Sequence, residues 1–256
     1  MHEVTTTEVE ANALFSRPLF ELQLYHAFER AARGLVDLEF AIRHWTMLLS
    51  FPTRYNATSG ELASHEQRIL GLVRDAWERS VASPDPAHLV EQTHRWLESM
   101  TAEVIARWRS LPAQATWYGC FRYTLEPKSD LAALHFYNCA CPRSPFEDVE
   151  ALRDDLRQCL LAIHCEAPEV QRVQCGSWVN NLARMQALFP RGYVDSLVVT
   201  DPNGRDGLGW WGQFVTKNGC LNESRAAELR ATGRFHYSRL LGRCSLADAL
   251  AHLRAD

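Results

Sequence analysis

The strongest constraint on this chain is a change of hydrophobic period near Pro112. Before it, apolar residues recur at every third or fourth position; after it, aromatic and β-branched residues gather in short runs. The first pattern lays one apolar stripe along a helix, and the second suits strands, so the two halves require different architectures. Tyr25, Phe28, Ala32, Leu35, Leu38, Ile42, Trp45 and Leu48 predict one long amphipathic helix over 20–49, broken by Pro52. Thr58 and Glu61 are spaced as a capping box that opens a second helix through Ile69, Val73 and Trp77. Pro84 and Pro86 start a third, with Leu89, Trp96, Met100, Val104 and Trp108 on one face.

Beyond Pro112, Trp117, Tyr118, Phe121 and Tyr123 mark a strand, residues 126–130 a turn, and 131–137 a second strand, which together predict a hairpin. Ser144, Pro145 and Glu147 combine an N-cap, proline at N1 and glutamate at N3. They open a helix with Phe146, Val149, Leu152, Leu156, Cys159 and Ile163 on one stripe. A strand at 169–175, a helix at 179–189, a strand at 195–200, a glycine-rich stretch at 203–212 and two short closing helices follow. The expected fold class is therefore α+β or α/β: an N-terminal three-helix bundle packed on a C-terminal domain with a mixed sheet. Its expected divisions are a flexible leader at 1–16, a helical subdomain at 17–112 and an α/β subdomain at 113–256.

Composition removes several classes of function. The 27 basic and 31 acidic residues leave a net charge of −4 with no block of one sign, so no nucleic-acid footprint is expected. The N-terminus lacks the basic and apolar regions of a secretory signal, and no apolar run reaches the ~20 residues of a membrane span. A cytoplasmic protein that does not enter the membrane is expected. On that footing the eight cysteines are expected to be reduced thiols.

Polar residues cluster where strands give way to helices. In 135–144, His135 has the chemistry of a general base, Asn138 can hold a substrate amide or carbonyl, and Arg143 can meet a phosphate or carboxylate. In 175–181, Cys175 or Ser177 is a candidate nucleophile, with Trp178, Asn180 and Asn181 as substrate contacts. The Gly-x-Ser-x-Gly pattern of hydrolases is absent. In the glycine-rich stretch, Trp211 and Gln213 can wall a ligand. The same residues also serve as caps, turns and core, and that reading stays open. No metal is assigned to these clusters. An alternative function does need one: Glu91 and His94 form a Glu-x-x-His pair on one helix face, as in non-haem metal enzymes built on helical bundles. A third alternative is a non-catalytic partner subunit of a biosynthetic complex, with the eight tryptophans serving its interface.

Several of these segments resemble the C-terminal domain of a GNAT-like, acyltransferase-related family whose members carry a helical N-terminal domain. The similar segments are Leu134-His135-Phe136, the proline-bearing stretch 141–145, the amphipathic helix to 164, Cys175-Gly176-Ser177-Trp178 and the tail from Ala227. The stretch 181–193 is similar to that superfamily's Asn-containing helix. The resemblance implies acyl transfer from a thioester, carried by coenzyme A or a carrier protein, to an amine on a small molecule. It leaves two places for the pyrophosphate loop: 197–209, which has the glycines, and 139–145, which has the expected position in the chain.

Overall fold

The structure, a computed structural model, describes residues 17–49, 59–79, 117–126, 129–200 and 207–254. The leader 1–16, the predicted helix after Pro84 with Glu91 and His94, and residues 201–206 lie outside the described residues. The chain is a mixed α/β protein with a five-stranded sheet. It divides into two units, one within 1–112 and 202–236, the other within 113–201 and 237–256. Residues 207–236, placed with the α/β half on sequence grounds, therefore belong to the helical unit.

In the first unit the helices are α1 (Arg17–Ala32), α2 (Leu38–Trp45) and α3 (Ser59–Arg79). The single long helix predicted over 20–49 is two helices. Gly34, at φ +68°, donates its N–H to Ala31, and Leu35 donates to Arg30, which closes α1 in a left-handed turn. Asp37 then caps α2 by accepting from the Phe40 N–H. The break also alters which residues are buried: α1 buries Leu19, Phe20, Leu22, Leu24, Ala27 and Phe28, the expected Ala32 and Leu35 are exposed, and α2 keeps Ile42 and Trp45 in the same core. Phe20, Phe28, Ile42, Ile69 and Val73 meet Trp211 and Phe214 there. Trp211 is fully buried and donates its indole N–H to the Trp45 carbonyl at 3.0 Å. That joins the 207–236 segment to the helices.

In the second unit the strands are β1 (Phe121–Leu125), β2 (Leu131–Phe136), β3 (Arg172–Ser177), β4 (Val198–Val199) and β5 (Leu240–Ser245), in the order β1-β2-β3-β5-β4. β1 and β2 form the predicted hairpin, with Phe121 opposite Phe136. β2 and β3 run parallel; β3–β5 and β4–β5 are antiparallel. Helix α4 (Val149–Glu166) joins β2 to β3 and buries Leu152, Leu156, Cys159, Leu160 and Ile163 in a core with Phe121, Leu134 and Val173. Each such side chain contributes about 1.5–3 kcal/mol on leaving water.

The chain after β3 departs from expectation. The helix predicted over 179–189 is a 3-10 turn, Trp178–Asn181, followed by the short helix α5 (Ala183–Gln186). The strand predicted over 195–200 shrinks to two residues, Val198–Val199, because the short helix α6 (Arg191–Asp195) and the turn at Ser196 take up the chain before it. Fully buried Asn180 governs this region. Its Nδ2 donates to the carbonyls of Cys175 and Leu240, each at 2.9 Å, and its Oδ1 accepts from the Tyr193 hydroxyl at 3.1 Å. The Tyr193 ring lies against Gly242 of β5, where a Cβ would overlap it.

Asn180→Ala is expected to cost about 2–4 kcal/mol, because it strands buried carbonyls and a hydroxyl. Tyr193→Phe should cost less, about 1–2 kcal/mol. Urea unfolding checks both; equal losses would contradict the network.

Candidate functional site

The parallel strands carry the distinctive geometry. Their ladder pairs Leu131 with Arg172 through Leu134 with Cys175 and ends there. Both strands continue for two residues, β2 paired only with β1 and β3 only with β5. The two C-terminal ends therefore part. Since the Tyr137 N–H bonds the Cys120 carbonyl at 2.9 Å on the β1 side, the two-residue period turns the main chain of Phe136 towards the parting. The Gly176 carbonyl accepts from Arg239 Nε at 3.1 Å. A Cβ on Gly176 would overlap that guanidinium, so the glycine is what admits it.

The predicted residues of 135–144 lie along this edge. His135 is on β2, half-buried, with Nε2 at 2.9 Å from the Thr124 hydroxyl of β1. Asn138 closes the loop that follows: its Nδ2 donates to the Arg143 carbonyl and its Oδ1 accepts from the Ala140 N–H, both at 3.0 Å. Arg143 is exposed. Ser144 and Glu147 form the predicted capping box, on a 3-10 turn ahead of α4.

The second cluster is largely structural. The Cys175 thiol is buried, and burial pushes it up to about 11, which keeps it protonated and unsuited to attack. Ser177 caps the 3-10 turn, its hydroxyl accepting from the Val179 N–H at 3.4 Å. Trp178 stacks on Tyr237, with ring centroids 5.8 Å apart. Asn180 is buried in the network above, and Asn181 donates to the carbonyls of Trp178 and Ser238 at 2.7 and 2.8 Å. Trp211 and Gln213 are fully buried in the helical unit, Gln213 donating to the Trp210 carbonyl at 2.9 Å. Cys175, Asn180, Trp211 and Gln213 thus present no side-chain surface to a ligand in this conformation.

Sequence reasoning missed one cluster. Cys120, just before β1, and Cys139, just after β2, meet with their sulfurs 2.7 Å apart. Asp155 of α4 accepts from the Cys120 N–H at 2.9 Å, and its carboxylate packs where Gly119, at φ +55°, has no Cβ. Among the described residues these three are the group whose ligand atoms approach as metal ligands do, all within 4.8 Å of one another. The signal was in the hairpin register: pairing Phe121 with Phe136 brings the flanking cysteines together. An open groove of about 440 Å³ also lies beside α6, lined by Pro190, Cys244, Asp248 and His252 among others. Burial and the neighbouring Asp248 push the Cys244 thiol up to about 12, so it brings no ready nucleophile.

Comparison with known proteins adds no relative: no family model, no curated protein and no solved structure matches the chain.

Gly176→Ala is expected to cost about 1 kcal/mol by displacing the Arg239 guanidinium, and in the background of Arg239→Ala that cost should vanish. A double-mutant cycle in urea measures it; additive losses would deny the contact. Burial raises the Asp155 carboxyl above its ordinary value, outweighing the bonds from Cys120. A raised folded-state value means the folded protein holds this proton longer than the unfolded chain. Wild-type stability should therefore fall, relative to Asp155→Asn, as pH climbs from the ordinary carboxyl value through the raised one, and stay level above it. Unfolding of both proteins from about pH 3 to 7 tests the sign.

Proposed function

We propose that this protein is an acyltransferase-like biosynthetic enzyme that moves an acyl group from a thioester to an amine-bearing small molecule. The observation that carries the reading is the parting of β2 and β3 two residues before either strand ends. Splayed parallel strands are the thioester-binding wedge of the GNAT-like domain that this half resembles. The surrounding order supports the same reading: an antiparallel hairpin, a parallel pair joined by an amphipathic helix, then antiparallel strands on the far edge.

The chemistry follows from the edge. A thioester arm lying between the strand ends brings its carbonyl oxygen to the main chain of Phe136, whose direction suits donation to the developing oxyanion. The amine attacks the carbonyl carbon, the thiolate leaves, and the enzyme contributes position and removal of one proton. His135 serves as the base or as a ligand for the acceptor. Exposed Arg143, in the loop before α4, suits the phosphates of coenzyme A or of a carrier-protein arm. Ser177 and Trp178 border the β3 side of the opening.

Purified protein should bind acyl-coenzyme A, or an acylated carrier protein, with a rise in Tm, and should release free thiol when an amine acceptor is supplied. His135→Ala should slow turnover about 10²–10⁴-fold if the residue is the base. Absence of both a thermal shift and thiol release across acyl-coenzyme A and acyl-carrier donors would overturn the proposal.

A further inference from the structure

We propose that Cys120 and Cys139 form a redox-responsive dithiol that closes to a disulfide by exchange with a small-molecule disulfide. This proposal stands apart from the thioester reading. The two sulfurs are 2.7 Å apart across the open end of the β1–β2 hairpin. A bonded pair stands at about 2.05 Å. Two thiolates sharing one tetrahedral zinc, with bonds of about 2.3 Å, stand about 3.8 Å apart. The observed approach is nearer to the bond than to the metal bridge. The hairpin itself holds it, through the Tyr137 N–H donating to the Cys120 carbonyl at 2.9 Å.

The pair is asymmetric in the way stepwise exchange requires. Cys139 is exposed, and its contact with the Cys120 thiol lowers it below the ordinary thiol value. Cys120 is buried and raised, chiefly by that same contact and by burial. Cys139 is therefore the attacking sulfur and Cys120 the resolving one. The Cys139 thiolate attacks one sulfur of the small disulfide, forming a mixed disulfide and releasing one thiolate. Cys120 then gives its proton to the neighbouring Asp155 carboxylate, and its sulfur attacks Cys139 Sγ, expelling the second thiolate. Two protein thiols are oxidised and one small disulfide is reduced to two thiols. The product ties residue 120 to residue 139, at the start of the loop that leads into α4.

The test uses oxidised glutathione on the full chain, followed by alkylation, intact mass and peptide mapping. Exposed Cys165 and Cys220 report that the reagent reached the protein. Wild type should yield a cross-linked Cys120–Cys139 peptide lacking two hydrogen atoms, restored by dithiothreitol. Cys120→Ser should instead accumulate a stable glutathione adduct on Cys139, and Cys139→Ser should show neither product. The proposal fails if wild-type Cys139 pairs with Cys141 or keeps its glutathione. It also fails if Cys120 and Cys139 stay alkylatable while Cys165 and Cys220 react, or if the purified protein holds stoichiometric zinc whose removal frees both thiols.

Discussion

Two strands that run parallel cannot be joined by a tight turn, and much of the second unit follows from that. The pairing of β2 with β3 requires a crossover long enough to return the chain, and α4 supplies it. The crossover helix must bury an apolar stripe on the sheet it spans, which is why Leu152, Leu156, Cys159 and Ile163 face Leu134 and Val173. It also sets both strands' C-terminal ends at one edge, with a loop after each. The parting of the ladder at Leu134 and Cys175 creates the distinctive feature of that edge: main chain directed into a gap between strands.

Most polar side chains around the edge are spent on holding the chain in place. Asn138, Ser144, Ser177, Asn180 and Asn181 each bond main-chain groups of turns or strand ends. A buried polar group left unpaired costs more than a made bond returns, so a chain turning this often near a core needs such residues. The thioester reading therefore leans on backbone geometry, with His135 and Arg143 as the side chains still directed to chemistry. This division suits acyl transfer between bound partners, where positioning supplies much of the rate.

Legibility in the sequence tracked how local each cause was. The capping box at Ser144, the stripe of α4 and the β1–β2 hairpin were readable because all their determinants lie within one or two turns of chain. β5 was not: Leu240, Leu241, Gly242, Arg243 and Cys244 carry no strong strand signal, and partners sixty to seventy residues away make them a strand. Asn180 and Asn181 looked like ligands because nothing local reveals that Leu240 and Ser238 will arrive beside them. The Cys120–Cys139 pair escaped for the opposite reason: each cysteine is unremarkable alone, and only the hairpin register pairs them.

The sequence by itself determined the buried faces of α2 and α3, the mixed α/β character of the second half and the strand-to-helix junctions after residues 136 and 175. These follow from hydrophobic period, caps and turns, which act over a few residues. Tertiary structure alone decided that 207–236 joins the helical unit, that a late strand completes the sheet and that β2 and β3 part before they end. Each of those outcomes depends on which distant surface buries a given side chain or satisfies a given carbonyl. That choice depends on packing and burial summed across the chain, which no local pattern carries.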